Sequence, residues 1–99
     1  RVERVLTGPV TRIESKWAGL RTFAPDNAPV VGEDPDVSGF FWFAGQGGYG
    51  IQTAPAMSAL IAGLVMEGDV PDWLGSFGIR ASDYAPARFG PRPVSARKA

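Results

Sequence analysis

The sequence predicts an α+β fold: strands and turns up to Ala44, one apolar helix after them, and irregular chain towards the end. Three observations predict it. Thr11–Phe23 carries β-type residues in alternation with polar ones, as in Ile13, Ser15 and Trp17. Phe40–Ala44, "FFWFA", is a continuous apolar run of strand length. Met57, Leu60, Ile61, Leu64 and Val65 recur at helical spacing.

Taken in order, Arg1–Leu6 reads as the end of a helix closed by Gly8-Pro9. Thr11–Phe23 reads as a strand, and Pro25-Asp26-Asn27 as a turn. Pro29–Gly32, "PVVG", is a short strand, and Glu33–Gly39 is an acidic turn containing Pro35. Phe40–Ala44 is expected to be a strand buried on both faces, the usual place for an unbroken apolar run. The stretch "AGQGGYGIQTAP", Ala44 to Pro55, follows, with four glycines inside six positions. The helix then runs to about Glu67, where Gly68 stops it. Pro55 is placed in its first turn, where N–H groups have no intrahelical partner. Asp69–Asp72 is a turn, Trp73–Phe77 and Ser82–Tyr84 are short helical turns, and Ala85–Ala99 is irregular. There is no internal repeat.

Composition limits the function. The chain has 99 residues, one small domain or part of a larger one. Its net charge of zero argues against a nucleic-acid partner, whose affinity rests on cationic neutralisation of phosphates. The charge is uneven. From Thr22 to Ile79 there are seven acids and no Lys or Arg, whereas after Tyr84 there are four bases and no acid. That basic end reads as a solvated terminus in preference to a membrane-surface element. Without Cys there is no disulfide or thiolate metal site, and no metal is expected. Without His there is no Ser-His-Asp triad and no imidazole base. Gly39–Met66 is long and apolar enough on average to span a bilayer, but its glycines, Gln46, Gln52 and Pro55 mark it as strand, loop and helix. No signal peptide is recognisable, a cytoplasmic location is expected and membrane association is not. The chain begins with Arg and reads as a piece of a longer protein.

Two motifs carry chemistry. In the Gly loop, glycines let a planar or charged ligand approach the backbone, and the helix N-terminus offers free N–H groups and about half a positive charge. Such a loop stabilises a negative group without Lys or Arg. Gly45, Gly47, Gly48 and Gly50 give G-x-G-G-x-G, which differs from the dinucleotide fingerprint G-x-G-x-x-G. The alternative is a tight strand-to-helix turn with packing glycines. The second motif is "WAGLRTFAPDNAPVVG", Trp17 to Gly32. Its Arg21 is suited to pair bidentately with a carboxylate; the alternative is a structural ion pair or a surface Arg. Most aromatic residues read as core, whereas Tyr49, inside the Gly loop, is placed to face a ligand.

Together these motifs resemble the C-terminal part of the FAD-dependent D-amino-acid oxidase superfamily. Ala18-Gly19-Leu20-Arg21, Pro25-Asp26, Pro29 and Gly32 follow its strand-pair pattern, and Gly45–Gln52 its loop-and-helix pattern. The resemblance covers roughly Ile13 to Gly68. "GFFWFAGQGGYGIQTAPAM" resembles more narrowly the bacterial D-amino-acid dehydrogenase group that includes D-arginine dehydrogenase. The resemblance implies FAD as cofactor, bound through backbone groups of Gly47, Gly48, Tyr49, Gly50, Ile51 and Gln52 at the pyrimidine edge of the ring. It implies that Arg21 holds the substrate α-carboxylate, that the Gly48 carbonyl accepts from the substrate amine, and that Tyr49 lines the site. No residue of the chain is expected to act as a catalytic acid or base. The implied reaction is hydride transfer from an amino-acid Cα to flavin N5, with hydrolysis of the imino acid to keto acid and ammonia.

The resemblance also implies a division. Residues 1–39 would belong to a substrate domain, 40–68 would be the strand, loop and helix of an FAD domain, and 69–99 would be a C-terminal extension. The N-terminal motif that binds the FAD pyrophosphate is missing, so its partner is the rest of such a protein. The isolated chain is therefore expected to be marginally stable and inactive. Two other readings remain open: a glycine or sarcosine oxidase-like member of the same superfamily, and a non-catalytic truncated fragment.

Overall fold

The computed structural model describes residues 2–93. It begins with a 3-10 turn at Val2–Arg4 where the end of a helix is expected. Strand β1 (Val30–Glu33) and strand β2 (Phe41–Ala44) follow, then helix α1 (Gly50–Met66) and the short helix α2 (Asp72–Gly75). Two further 3-10 turns, Ala81–Asp83 and Pro86–Phe89, follow among the described residues. This is a small α+β arrangement, as the sequence predicts.

β1 and β2 form an antiparallel hairpin in which Val31 faces Phe43 and Gly32 faces Trp42. Its acidic connection is held by carboxylates that accept backbone N–H groups, the usual reason Asp favours turns. Asp34 Oδ1 accepts from Asp36 at 2.9 Å and Val37 at 3.2 Å, and Glu33 Oε1 accepts from Gly39 at 2.7 Å. Asp34 Oδ2 takes the Trp42 indole N–H at 2.8 Å and pairs with Arg92. These donors, the Trp42 indole first, hold the carboxyl below the usual Asp range.

The core is small. Val31 of β1, Met57 and Leu60 of α1 and Leu74 of α2 are buried together, with Leu64, Val70, Ile79 and Tyr84 against them. The helical repeat read from the sequence thus turns its apolar stripe onto β1. The free edge of β1 is met by the next segment, where the Val31 N–H donates to the Tyr84 carbonyl at 2.9 Å. Gly68, at φ +75°, ends the helix as expected.

Four expectations change. Thr11–Phe23 forms no strand and pairs with no other segment in a ladder among the described residues. Ile13, Trp17 and Leu20 are exposed, Leu20 completely, so the alternating pattern has neither ladder nor covering layer here. The apolar run at β2 is not buried on both faces: Trp42 and Phe43 are exposed and Phe41 and Ala44 half-buried, because β2 has one neighbouring strand among the described residues. Helix α1 starts at Gly50, which puts Pro55 in the second turn and leaves the Ile51 carbonyl without its intrahelical donor. Ala85–Ala99 is not wholly irregular, since Pro86–Phe89 is a 3-10 turn and Arg88 and Arg92 are paired with Asp26 and Asp34. The remaining bases of the expected solvated end, Arg97 and Lys98, lie outside the described residues.

The radius of gyration is 18.6 Å, against about 13 Å for a compact domain of this length. Among the described residues no helix is long and apolar enough to cross a membrane.

Candidate functional site

The loop between β2 and α1 is built by backbone geometry. Gly47 sits in the left-handed region at φ +58°, and a Cβ there would come within 2.8 Å of the Phe23 ring. Its N–H donates to the Thr22 carbonyl at 3.0 Å, which stitches the loop to the segment that carries Arg21. Tyr49 then starts the helix: its carbonyl accepts the Thr53 N–H at 3.1 Å and the Thr53 hydroxyl at 2.9 Å.

This helix start is open. Tyr49 gives no side-chain cap, and the first turn contains no acid. The N–H groups of Gly50, Ile51 and Gln52 precede the first intrahelical bond. Gly48 is exposed, and a Cβ added to it would meet nothing within 4 Å. Its carbonyl accepts no hydrogen bond among the described residues.

A cleft of about 500 Å³ lies in front of the helix, lined by Arg21 and by Gly47, Gly48, Tyr49, Gly50, Ile51 and Gln52. Every site residue expected from the sequence therefore borders one space. Arg21 is exposed, and its guanidinium donates to the Leu20 carbonyl at 3.2 Å. The donor set suits a planar ring with acceptor atoms along one edge: backbone N–H groups, an open glycine surface and no carboxylate on the rim. The pyrimidine edge of a flavin ring is a group of that kind.

Tyr49 has a second attachment. Its hydroxyl donates to the Asn27 carbonyl, in the turn after Phe23. That turn closes through the Asn27 N–H to the Ala24 carbonyl at 2.9 Å, with Asn27 at φ +62°, a value Asn tolerates. Asp26 Oδ1 accepts the Ala28 N–H at 3.1 Å.

Arg88 locks this turn from the other side, and sequence reasoning missed it. Its Nε and Nη2 donate to Asp26 at 2.7 and 3.1 Å. Nη2 also reaches the Ala28 carbonyl at 3.0 Å, and Nη1 the carbonyls of Tyr84 and Ala85 at 2.5 and 3.1 Å. All five guanidinium donors are used. The Arg88 hydrogen bonds pull the Asp26 carboxyl from its ordinary 3.8 down to about 2. A separation of 62 positions left no local signal for this pair.

Comparison with known proteins extends the picture. A family model described as FAD dependent oxidoreductase (DAO) matches residues 1–64. Glycine oxidase of Bacillus subtilis is 41% identical over 69 residues, 69% of this chain and 19% of that protein. The hydrogen cyanide synthase subunit HcnC of Pseudomonas aeruginosa is 30% identical over 83 residues, 84% of this chain and 18% of the subunit. The bovine FAD-dependent oxidoreductase domain-containing protein 1 is 34% identical over 67 residues, 67% of this chain and 14% of that protein. The chain thus spans less than a fifth of the length of these curated relatives. No solved structure gives a significant match.

Proposed function

Because the chain belongs to the DAO family of FAD-dependent oxidoreductases, we propose that it is part of an enzyme that oxidises the Cα–N bond of a D-amino acid. The imino product would hydrolyse to a keto acid and ammonia. The observation that carries this reading is the shared cleft: one cation, Arg21, faces an open helix N-terminus across a glycine surface. FAD, when bound, supplies the acceptor for the hydride that leaves Cα.

The chain's own residues bind and orient. The Arg21 guanidinium pairs with the substrate α-carboxylate, and the Gly48 carbonyl accepts from the α-amine. Two fixed points on either side of Cα set which of its bonds faces the ring. The N–H groups of Gly50, Ile51 and Gln52 and the positive end of α1 stabilise negative charge on the pyrimidine edge. Gly47 and Gly48 keep the backbone low enough for the ring to approach, and Tyr49 and Gln52 border it. Residues 1–39 supply the substrate side, residues 40–68 the flavin side and 69–99 an extension. β1, hydrogen-bonded to β2, joins the first two parts.

The test uses the full-length parent enzyme. Arg21→Ala should raise KM for the amino acid roughly 10- to 100-fold, the worth of a charged hydrogen-bonded pair. An unchanged KM would remove the anchor. Gly48→Val should weaken FAD binding or block substrate, and full retention of both would remove the cradle. A second reading, in which glycine or sarcosine is the substrate, is favoured by the 41% identity to a protein named glycine oxidase. Relative kcat/KM for glycine, sarcosine and a panel of D-amino acids, including D-arginine, separates the two.

A further inference from the structure

We infer that Arg88 is a positioning residue for the flavin-side loop, acting through the Asp26 turn and the Tyr49 hydroxyl. The inference rests on the cleft reading above. Arg88 does not line the cleft; it is linked to the loop by the turn at residues 24–28.

Three observations make the link. Arg88 grips both chain directions of the turn, the Asp26 carboxylate and the Ala28 carbonyl. The carbonyl between them in sequence, that of Asn27, receives the Tyr49 hydroxyl. Tyr49 is the N-cap of α1 and carries no side-chain cap of its own, so its tether to Asn27 is its fixed side-chain attachment. Moving the Asn27 carbonyl therefore swings Tyr49, and with it the Gly48 carbonyl and the N–H groups of Gly50, Ile51 and Gln52.

The guanidinium itself is anchored. Its side chain is 13% exposed, stacks 4.2 Å from the Phe89 ring centroid and bonds to the Tyr84 and Ala85 carbonyls. The Tyr84 carbonyl also accepts the Val31 N–H, which ties the clamp to β1 in the core. A Lys at this position would keep the charge but lack the fork that holds a carboxylate and carbonyls at once. Arg88→Lys thus tests geometry apart from charge.

The experiment is a double-mutant cycle in the full-length holoenzyme, read as the dissociation constant of FAD and the position of its visible bands. Tyr49→Phe removes the tether, and Arg88→Lys loosens the turn. Arg88→Lys should weaken FAD about tenfold in the parent and less than about threefold in the Tyr49→Phe background. Equal factors in both backgrounds, or a lowered Tm with unchanged FAD affinity, would overturn the inference. If Arg88→Lys does not fold, Asp26→Asn keeps the turn residue and weakens the clamp, and the same non-additivity with Tyr49→Phe is required. If Gly48→Val and Tyr49→Phe both leave FAD affinity intact, the cradle reading itself fails and the inference falls with it. If they weaken FAD but Arg88→Lys and Asp26→Asn do not, the cradle stands and only the relay is lost.

Discussion

At Gly63, α1 passes close against the turn that follows it. In an ordinary helix interior, Gly to Ala gains about 0.5–1 kcal/mol by reducing backbone entropy in the unfolded chain. Here a Cβ would lie 2.7 Å from the Pro71 ring and 2.8 Å from the Asp69 carbonyl, neither of which is a flexible side-chain end. Overpacking should reverse the sign: Gly63→Ala is expected to destabilise the full-length protein by roughly 1–3 kcal/mol in denaturant unfolding. Asp26 makes a second residue-scale prediction. Its folded pKa, lowered from 3.8 to about 2 by Arg88, means that its stabilisation is complete above the unfolded value and fades as pH falls through this window. The stability difference between parent and Asp26→Asn should therefore be constant above pH 3.8 and shrink between 3.8 and about 2.

Among the elements, the β1–β2 hairpin depends most on one side chain. Asp34 accepts two turn N–H groups, the Trp42 indole and Arg92, so it fixes the turn, the strand and the following segment together. Asp34→Ala should speed amide exchange at Asp36 and Val37 and red-shift Trp42 fluorescence, while α1 amides keep their protection. Much at this scale was legible in the sequence. Pro25–Asn27, the acidic connection, β1 and the end of α1 rest on local chemistry: turn residues, short apolar runs and a glycine stop. The strand expected at Thr11–Phe23 was not borne out, because a strand exists only through its partner and no described segment pairs with it. The burial expected for β2 needed a second neighbour and a covering layer in the same way. Pro55 shifted from first turn to second because Gly50, not Pro55, opens the helix.

At the scale of the molecule, a core of four buried side chains and a segment over residues 9–23 without helix or strand give a body with an open cleft on its surface. Cores of this size leave little margin over chain entropy. The isolated 99-residue chain, incubated with FAD and desalted, should emerge colourless, whereas the full-length parent should keep its flavin spectrum. A yellow isolated chain would show that this segment alone suffices. The members of the cleft were legible because Arg21 and the Gly loop carry their chemistry in short motifs. Arg88 was not, since nothing near it in sequence distinguishes a clamp from a solvated base.

The clamp also sets an order in time. Asp26 and Arg88 lie 62 positions apart, and at about 5–20 residues per second a ribosome adds that length in roughly 3–12 s. For the last 39 of those positions, about 2–8 s at the same rate, the turn and Tyr49 both exist without their lock, so the nascent protein passes through a stage with its loop made and its turn unclamped. The clamp closes only after Arg88 has left the exit tunnel, and a polypeptide halted before that residue leaves the ribosome with the Asp26 turn unclamped.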